Sequence, residues 1–152
     1  SQNMKAGVGV ALPLGNDVKD FYSVGLYGDF TYYFEINEAF LVGPQVSYLY
    51  YMGKDYHGYK PDAAMFLPIA ASERYVIEDF FFGADLGYGI GVSKNNDGGF
   101  FYRPKAGYNF GPLGVVLSYS GITSKRDVTT YVGTESVTST FSALNLGVEC
   151  SF

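Results

Sequence analysis

One property of this chain limits its folds more than any other: apolar residues alternate with small or polar ones, at a period of two, along nearly the whole length. Successive side chains on a β-strand point to opposite faces, so this pattern belongs to strands with two unlike faces. The clearest run sets Phe80, Phe82, Ala84, Leu86, Tyr88, Ile90 and Val92 against Phe81, Gly83, Asp85, Gly87, Gly89 and Gly91. The same reading gives strands over Lys5–Leu12, Tyr22–Phe34, Phe40–Tyr50, Ala63–Tyr75, Phe80–Val92, Phe100–Phe110, Val115–Ser120 and Ala143–Phe152. No window of comparable length keeps a helical period.

The connections alternate in length. Glu35–Glu38, Ile77–Asp79 and Gly111–Gly114 are tight, whereas Pro13–Phe21, Gly53–Asp62, Ser93–Gly99 and roughly Gly121–Ser139 are long and polar. An even number of strands places both ends of the chain on the side of the tight turns. The segments Asp127–Val132 and Val137–Thr138 in the last connection are expected to lengthen the final hairpin. The whole chain, residues 1–152, reads as a single domain of eight antiparallel up-and-down strands.

Which face lies inside decides between two kinds of barrel. A soluble ligand-carrying barrel turns its apolar face inward. Here the apolar face is built of Phe, Tyr, Leu, Val and Ile on eight strands, too bulky for an eight-stranded interior, which side chains barely fit. The opposite face is mostly Gly, Ala, Ser and Asn with a few charges, which suits a narrow lumen. Only 16% of residues are charged, while 20 Gly, 15 Tyr and 13 Phe are present. A transmembrane β-barrel with lipid outside and a polar lumen accounts for all of this. A carrier of a small apolar ligand, soluble or opening sideways to the membrane, is the alternative. The net charge of −5 excludes the basic footprint of a nucleic-acid binder.

The inner face carries the candidate functional residues. Asp29, Asp85 and Glu149 are expected to face Arg103 and Lys105 in a lumenal network, with Glu35 and Arg74 nearer the mouth on the tight-turn side. Charges in a closed lumen need partners. Tyr27, Tyr33, Phe66, Phe81 and Phe101 on the same face would obstruct a channel. On the outer face, Tyr22, Tyr48, Tyr50, Tyr102 and Tyr119 read as one interfacial girdle, and Phe34, Phe40, Phe80, Tyr108, Phe110 and Phe152 as the other. Some tyrosines of the first group, with Tyr51, Tyr56 and Tyr59, could alternatively form a recognition surface. Pro44 and Pro104 fall within paired strands, where each removes a ladder donor, so a bulge or broken pairing is expected at both.

Other motifs reduce to structure. The Gly83–Gly91 glycines recur at strand period without the Lys-Ser/Thr of a phosphate loop. His57, the lone histidine, sits beside Asp55 with too few ligands for a metal centre. Cys150 is the single cysteine and has no disulfide partner in the chain. No metal, cofactor or catalytic residue is expected.

The last stretch, Leu144-Asn145-Leu146-Gly147-Val148-Glu149-Cys150-Ser151-Phe152, ends an alternating strand on Phe. With eight matched strands and alternating loop lengths, the chain resembles the small outer-membrane β-barrels of Gram-negative bacteria, the group of the OmpA membrane domain and OmpX-like proteins. Its Gly- and Tyr-rich style, with an N-terminal Gln-Asn, is similar to outer-membrane barrels of Bacteroidetes. The resemblance implies a location in the outer membrane and contact with its lipid. It also implies that the barrel-insertion machinery reads Phe152, and that the long loops display a structural or surface-interaction role toward an extracellular protein or glycan. Lipid-modifying barrels of that membrane need a His with a Ser, and His57 has no serine in its loop, so no enzyme is expected and lipid modification stands as the remaining alternative.

Overall fold

A computed structural model describes residues 3–14, 22–53, 58, 63–92 and 98–152, and for 125–130 and 135–139 the backbone alone. The strands are β1 (Met4–Leu14), β2 (Tyr22–Tyr32), β3 (Phe34–Glu35), β4 (Phe40–Gly53) and β5 (Ala64–Ile77). They continue with β6 (Phe80–Gly91), β7 (Gly99–Phe110), β8 (Leu113–Thr130) and β9 (Gly133–Ser151). Each pairs antiparallel with its sequence neighbour, and β1 pairs with both β2 and β9, so the sheet closes. Because β2 and β3 share one position in the wall, the nine segments make an eight-stranded barrel.

Closure leaves no free sheet edge along the wall. The last seam is completed where the Met4 and Phe152 backbones exchange hydrogen bonds of 3.2 and 2.9 Å. The tight turns have local causes. In the β3–β4 turn, Asn37 Oδ1 accepts from the backbone N–H groups of Ala39 and Phe40, both at 2.9 Å. Between β7 and β8, Gly111 takes a φ of 71°, which glycine adopts at no steric cost.

The second expected strand, Tyr22–Phe34, is one wall position but not one ladder. Pairing with β4 runs to Thr31↔Gln45 and resumes at Phe34↔Val42 in unchanged register. Pro44 lies in the gap and supplies no N–H. Beside it the Tyr32 carbonyl oxygen occupies the place a Cβ on residue 43 would take, so this close approach requires Gly43. Tyr33 instead donates its N–H to the Asn3 carbonyl at 2.8 Å. At Pro104 the β7–β8 ladder stops after Tyr102↔Gly121 and resumes at Lys105↔Ser118. Both prolines thus break pairing without a bulge. Pro68 does the same between β4 and β5, where the ladder skips from Val46↔Ile69 to Leu49↔Phe66.

The two faces fall as the alternation predicts. Outward side chains such as Val8, Leu12, Ile69, Leu86, Leu117 and Leu146 are exposed all round the barrel. Tyr27, Tyr33, Phe66, Phe81 and Phe101 are buried inside it. Two tyrosines depart from expectation. A register shift between Tyr22 and Gly25 turns Tyr22 into the barrel mouth, 5.2 Å from the Phe141 ring, so it does not belong to the outer row. Tyr51 is 1% exposed within the same aromatic cluster and offers no recognition surface.

The final connection is mostly strand. β8 and β9 pair from Leu113↔Cys150 to Thr130↔Gly133, leaving Tyr131–Val132 as a two-residue tip. Among the described residues, the neighbouring ladders end lower, at Phe100↔Thr123 and Leu14↔Ser142. The hairpin therefore stands about 20 Å beyond the wall, at roughly 3.3 Å per residue. Asp55, Tyr56, His57, Tyr59, Lys60 and Asn96 lie outside the described residues.

Candidate functional site

The polar groups of the interior sit at two heights below an aromatic layer. Asp85 and Arg103 are direct cross-strand partners on β6 and β7, so one hairpin register places them face to face. Arg103 Nε donates to Asp85 Oδ2 at 2.8 Å. Its Nη2 crosses the lumen to Asp29 Oδ2 at 3.0 Å and to Gln45 Oε1 at 2.7 Å. β2 is four positions from β7 in an eight-membered ring, so Arg103–Asp29 spans the full diameter. Lys105 Nζ lies 2.9 Å from Asp85 Oδ1 and donates to Oδ2 at 3.1 Å.

Nearer the tight turns, Arg74 donates to Glu149 through Nη1 at 2.5 Å and Nη2 at 3.0 Å. β5 and β9 are also diametrically opposed, so this bidentate pair is a second strut. The Arg74 guanidinium stacks 3.9 Å over the Phe81 ring and 5.0 Å from that of Tyr33, whose hydroxyl lies 2.7 Å from Ser72 Oγ. Lys5 Nζ donates to Ser151 Oγ at 2.6 Å. Above the Arg103 hub, Tyr51 packs 4.4 Å from Phe141, and Phe66 5.4 Å from the same ring.

The structure places Asp29, Asp85, Arg103 and Lys105 within one set of ion pairs. It assigns Glu149 to Arg74 instead of the Arg103–Lys105 pair, because β9 reaches the axis lower down. Glu35 lies exposed at the rim, outside the network. Sequence reasoning passed over Gln45, Ser47 and Ser72, which the alternation places on the inner face but whose partners depend on closure. The interior holds four cations, Lys5, Arg74, Arg103 and Lys105, against three carboxylates among the described residues. A small void of about 10 Å³, lined by Gly7, Tyr27, Asp29, Arg103, Lys105 and Glu149 among others, has room for about one water. Arg103 Nη1 and Arg74 Nε are buried without an acceptor among the described residues.

On the outer face, rings gather toward the tight turns. Phe80–Tyr108 and Tyr108–Phe110 centroids are 4.8 and 4.7 Å apart, Tyr32–Phe34 5.0 Å and Phe30–Phe152 6.2 Å. Phe152 is 55% exposed there, with its backbone in the closing ladder. Toward the other end, Tyr48 and Tyr119 are exposed, and Tyr50 and Tyr102 half-buried.

Solved structures share this arrangement. The outer-membrane protein Ail of Yersinia pestis in a phospholipid bilayer nanodisc superposes with a TM-score of 0.61 at 14% identity, covering 100% of both chains. The fold is that of an eight-stranded transmembrane β-barrel. The crystal structure of Ail, the attachment invasion locus protein of Yersinia pestis, gives 0.57 at 15% identity, again over 100% of both chains. A de novo designed transmembrane β-barrel gives 0.59 at 12% identity, over 99% of this chain and 96% of the other. No family model and no curated protein matches the sequence.

Proposed function

We propose that this protein is a small bacterial outer-membrane barrel with a plugged interior, acting at the cell surface through its long connections. The observation that carries this reading is the inside-out distribution of polarity. Val8, Ile69, Phe80, Leu117 and Leu146 are each more than half exposed, and Leu26, Val46 and Tyr48 on the remaining wall are exposed as well. A water-soluble protein rarely exposes a continuous apolar patch of that extent, whereas lipid-facing strands require one. The rings near the tight turns and near Tyr48 and Tyr119 then serve as girdles at the two interfaces. Phe152 serves as the end signal for the insertion machinery. The Gly- and Tyr-rich style supports a barrel of the Bacteroidetes type.

The surface role rests on the β8–β9 hairpin. Among the described residues, its strands beyond Ser124 and Ser142 form ladders only with each other, which leaves their outer edges open to a further strand. The tip residues Tyr131 and Val132 are fully exposed. Edges of this kind accept an added strand, and an aromatic tip supplies an anchor. An extracellular protein or glycan is the partner class this would engage. The carrier alternative finds less support inside the barrel, where Tyr27, Leu49, Tyr51, Phe66 and Phe101 fill the described interior.

Fractionation tests the location: the protein should enter outer membranes and migrate heat-modifiably on a gel. A variant lacking residues 126–137 should keep that behaviour, while its cells lose binding to arrayed glycans or matrix proteins. A protein found in the soluble fraction, or a shortened hairpin that binds as before, would overturn the reading.

A further inference from the structure

The outer wall carries one charge that neither the lumen nor the surface reading uses. Glu73 on β5 is exposed, four residues above the turn at Ile77, just beyond the aromatic row of Tyr75 and Phe82. Among the described residues it is the single charged side chain on the outer face above the tight turns, and no donor there pairs with it. A carboxylate at hydrocarbon depth is costly, less so when it can bend toward the interface. From this height a glutamate side chain reaches back to the level of Tyr75.

A low strip of wall starts at Glu73. The ladder sets it beside Ala84, and Ala84 beside Pro104, about 10 Å away across two strand spacings. At Pro104 the strip opens into a shallow, mostly apolar groove lined by Pro104, Ala106, Leu117, Tyr119 and Leu144 among others. This shallow depression coincides with the interruption of the β7–β8 ladder. Pro104 lies six residues above its turn at Phe110, higher than Glu73 on its own strand. The strip therefore climbs from a carboxylate near the interface to an apolar groove deeper in the membrane.

We infer that this strip binds one amine-bearing phospholipid, with its ammonium on Glu73 and an acyl chain in the groove at Pro104 and Ala106. The inference rests on the membrane placement proposed above. A primary ammonium offers three N–H donors to the carboxylate, a choline headgroup offers none, and an anionic glycerol headgroup is repelled. The apolar groove is continuous with the lipid-facing wall, so a chain enters it without leaving hydrocarbon.

Native mass spectrometry of the barrel, released from bilayers of equimolar phosphatidylethanolamine, phosphatidylcholine and phosphatidylglycerol with matched chains, tests this. Retained lipid should favour the ethanolamine form by about fivefold, the equivalent of about 1 kcal/mol. Glu73→Gln should abolish that preference. Ala106→Phe, which fills the groove, should lower retention of every class. An unchanged preference in E73Q, or unchanged retention in A106F, overturns the site. Flotation of the same samples with vesicles separates the two readings. If all variants float and no preference appears, the lipid site alone fails; if the wild-type barrel does not float, the membrane placement fails and takes the site with it.

Discussion

Replacing Arg74 by Leu removes one end of a strut that crosses the whole barrel. The guanidinium and the Glu149 carboxylate are held by two hydrogen bonds, with side chains 1% and 7% exposed, so solvent screens the pair little. In Arg74→Leu, no other cation among the described residues lies within ion-pair distance of Glu149. Breaking a buried pair by removing one partner costs about 3–5 kcal/mol. Arg103→Leu should fall toward the lower end, because Asp85 keeps Lys105 at 2.9 Å while Asp29 loses its contact. The decisive quantity is coupling. Arg74→Leu with Glu149→Leu places two apolar side chains beside Phe81 and should recover about 0.5–3 kcal/mol relative to the sum of the single changes. Arg103→Leu with Glu149→Leu should couple more weakly than the Arg74–Glu149 pair, since these two residues line one void without bonding each other. Reversible urea unfolding in lipid vesicles, followed by heat-modifiable migration, measures all four quantities. An Arg74→Leu variant that loses less than about 1 kcal/mol would refute the strut, as would a Glu149 coupled as strongly to Arg103 as to Arg74.

Three further outcomes follow from the same geometry. A tag inserted at Gly58, exposed on the long-connection side, should be reachable on intact cells, and one at Gly111 should not; the reverse pattern would invert the orientation. Cys150 is exposed on the outer face, paired with Ala6 and Leu113, so a water-soluble maleimide should label the vesicle-embedded barrel far more slowly than the unfolded chain, and equal rates would reject a lipid-facing thiol. Amide exchange along β8 should accelerate beyond Ser124, because among the described residues those hydrogen bonds are braced by one neighbouring strand only. Uniform protection from Leu113 to Thr130 would show that the hairpin is covered by something else.

Period two was enough to place nearly every side chain on its face. It predicted that Phe81 and Phe101 lie inside and that Leu86 and Leu146 lie outside, because alternation is a property of each strand alone and needs no knowledge of its neighbours. Hairpin register was also legible across the longer Ser93–Gly99 connection: Asp85 and Arg103 meet because the β6–β7 ladder is antiparallel and in step. The gaps at Pro44 and Pro104 were legible too, since a missing N–H is written in the residue itself.

What pairs across the axis was decided only by closure. Arg74 and Glu149 are 75 residues apart, and their meeting depends on how far the strands stagger around the ring, a sum over every register in the barrel. A small error in any one ladder would shift Glu149 to the height of Arg103, which is where the sequence reading had put it. The inward turn of Tyr22 is of the same kind: a one-residue shift against β4 flips its face, and no feature of the Tyr22–Gly25 segment taken alone announces it. Local chemistry determines which way a side chain points; the stagger of the closed wall determines what it finds there.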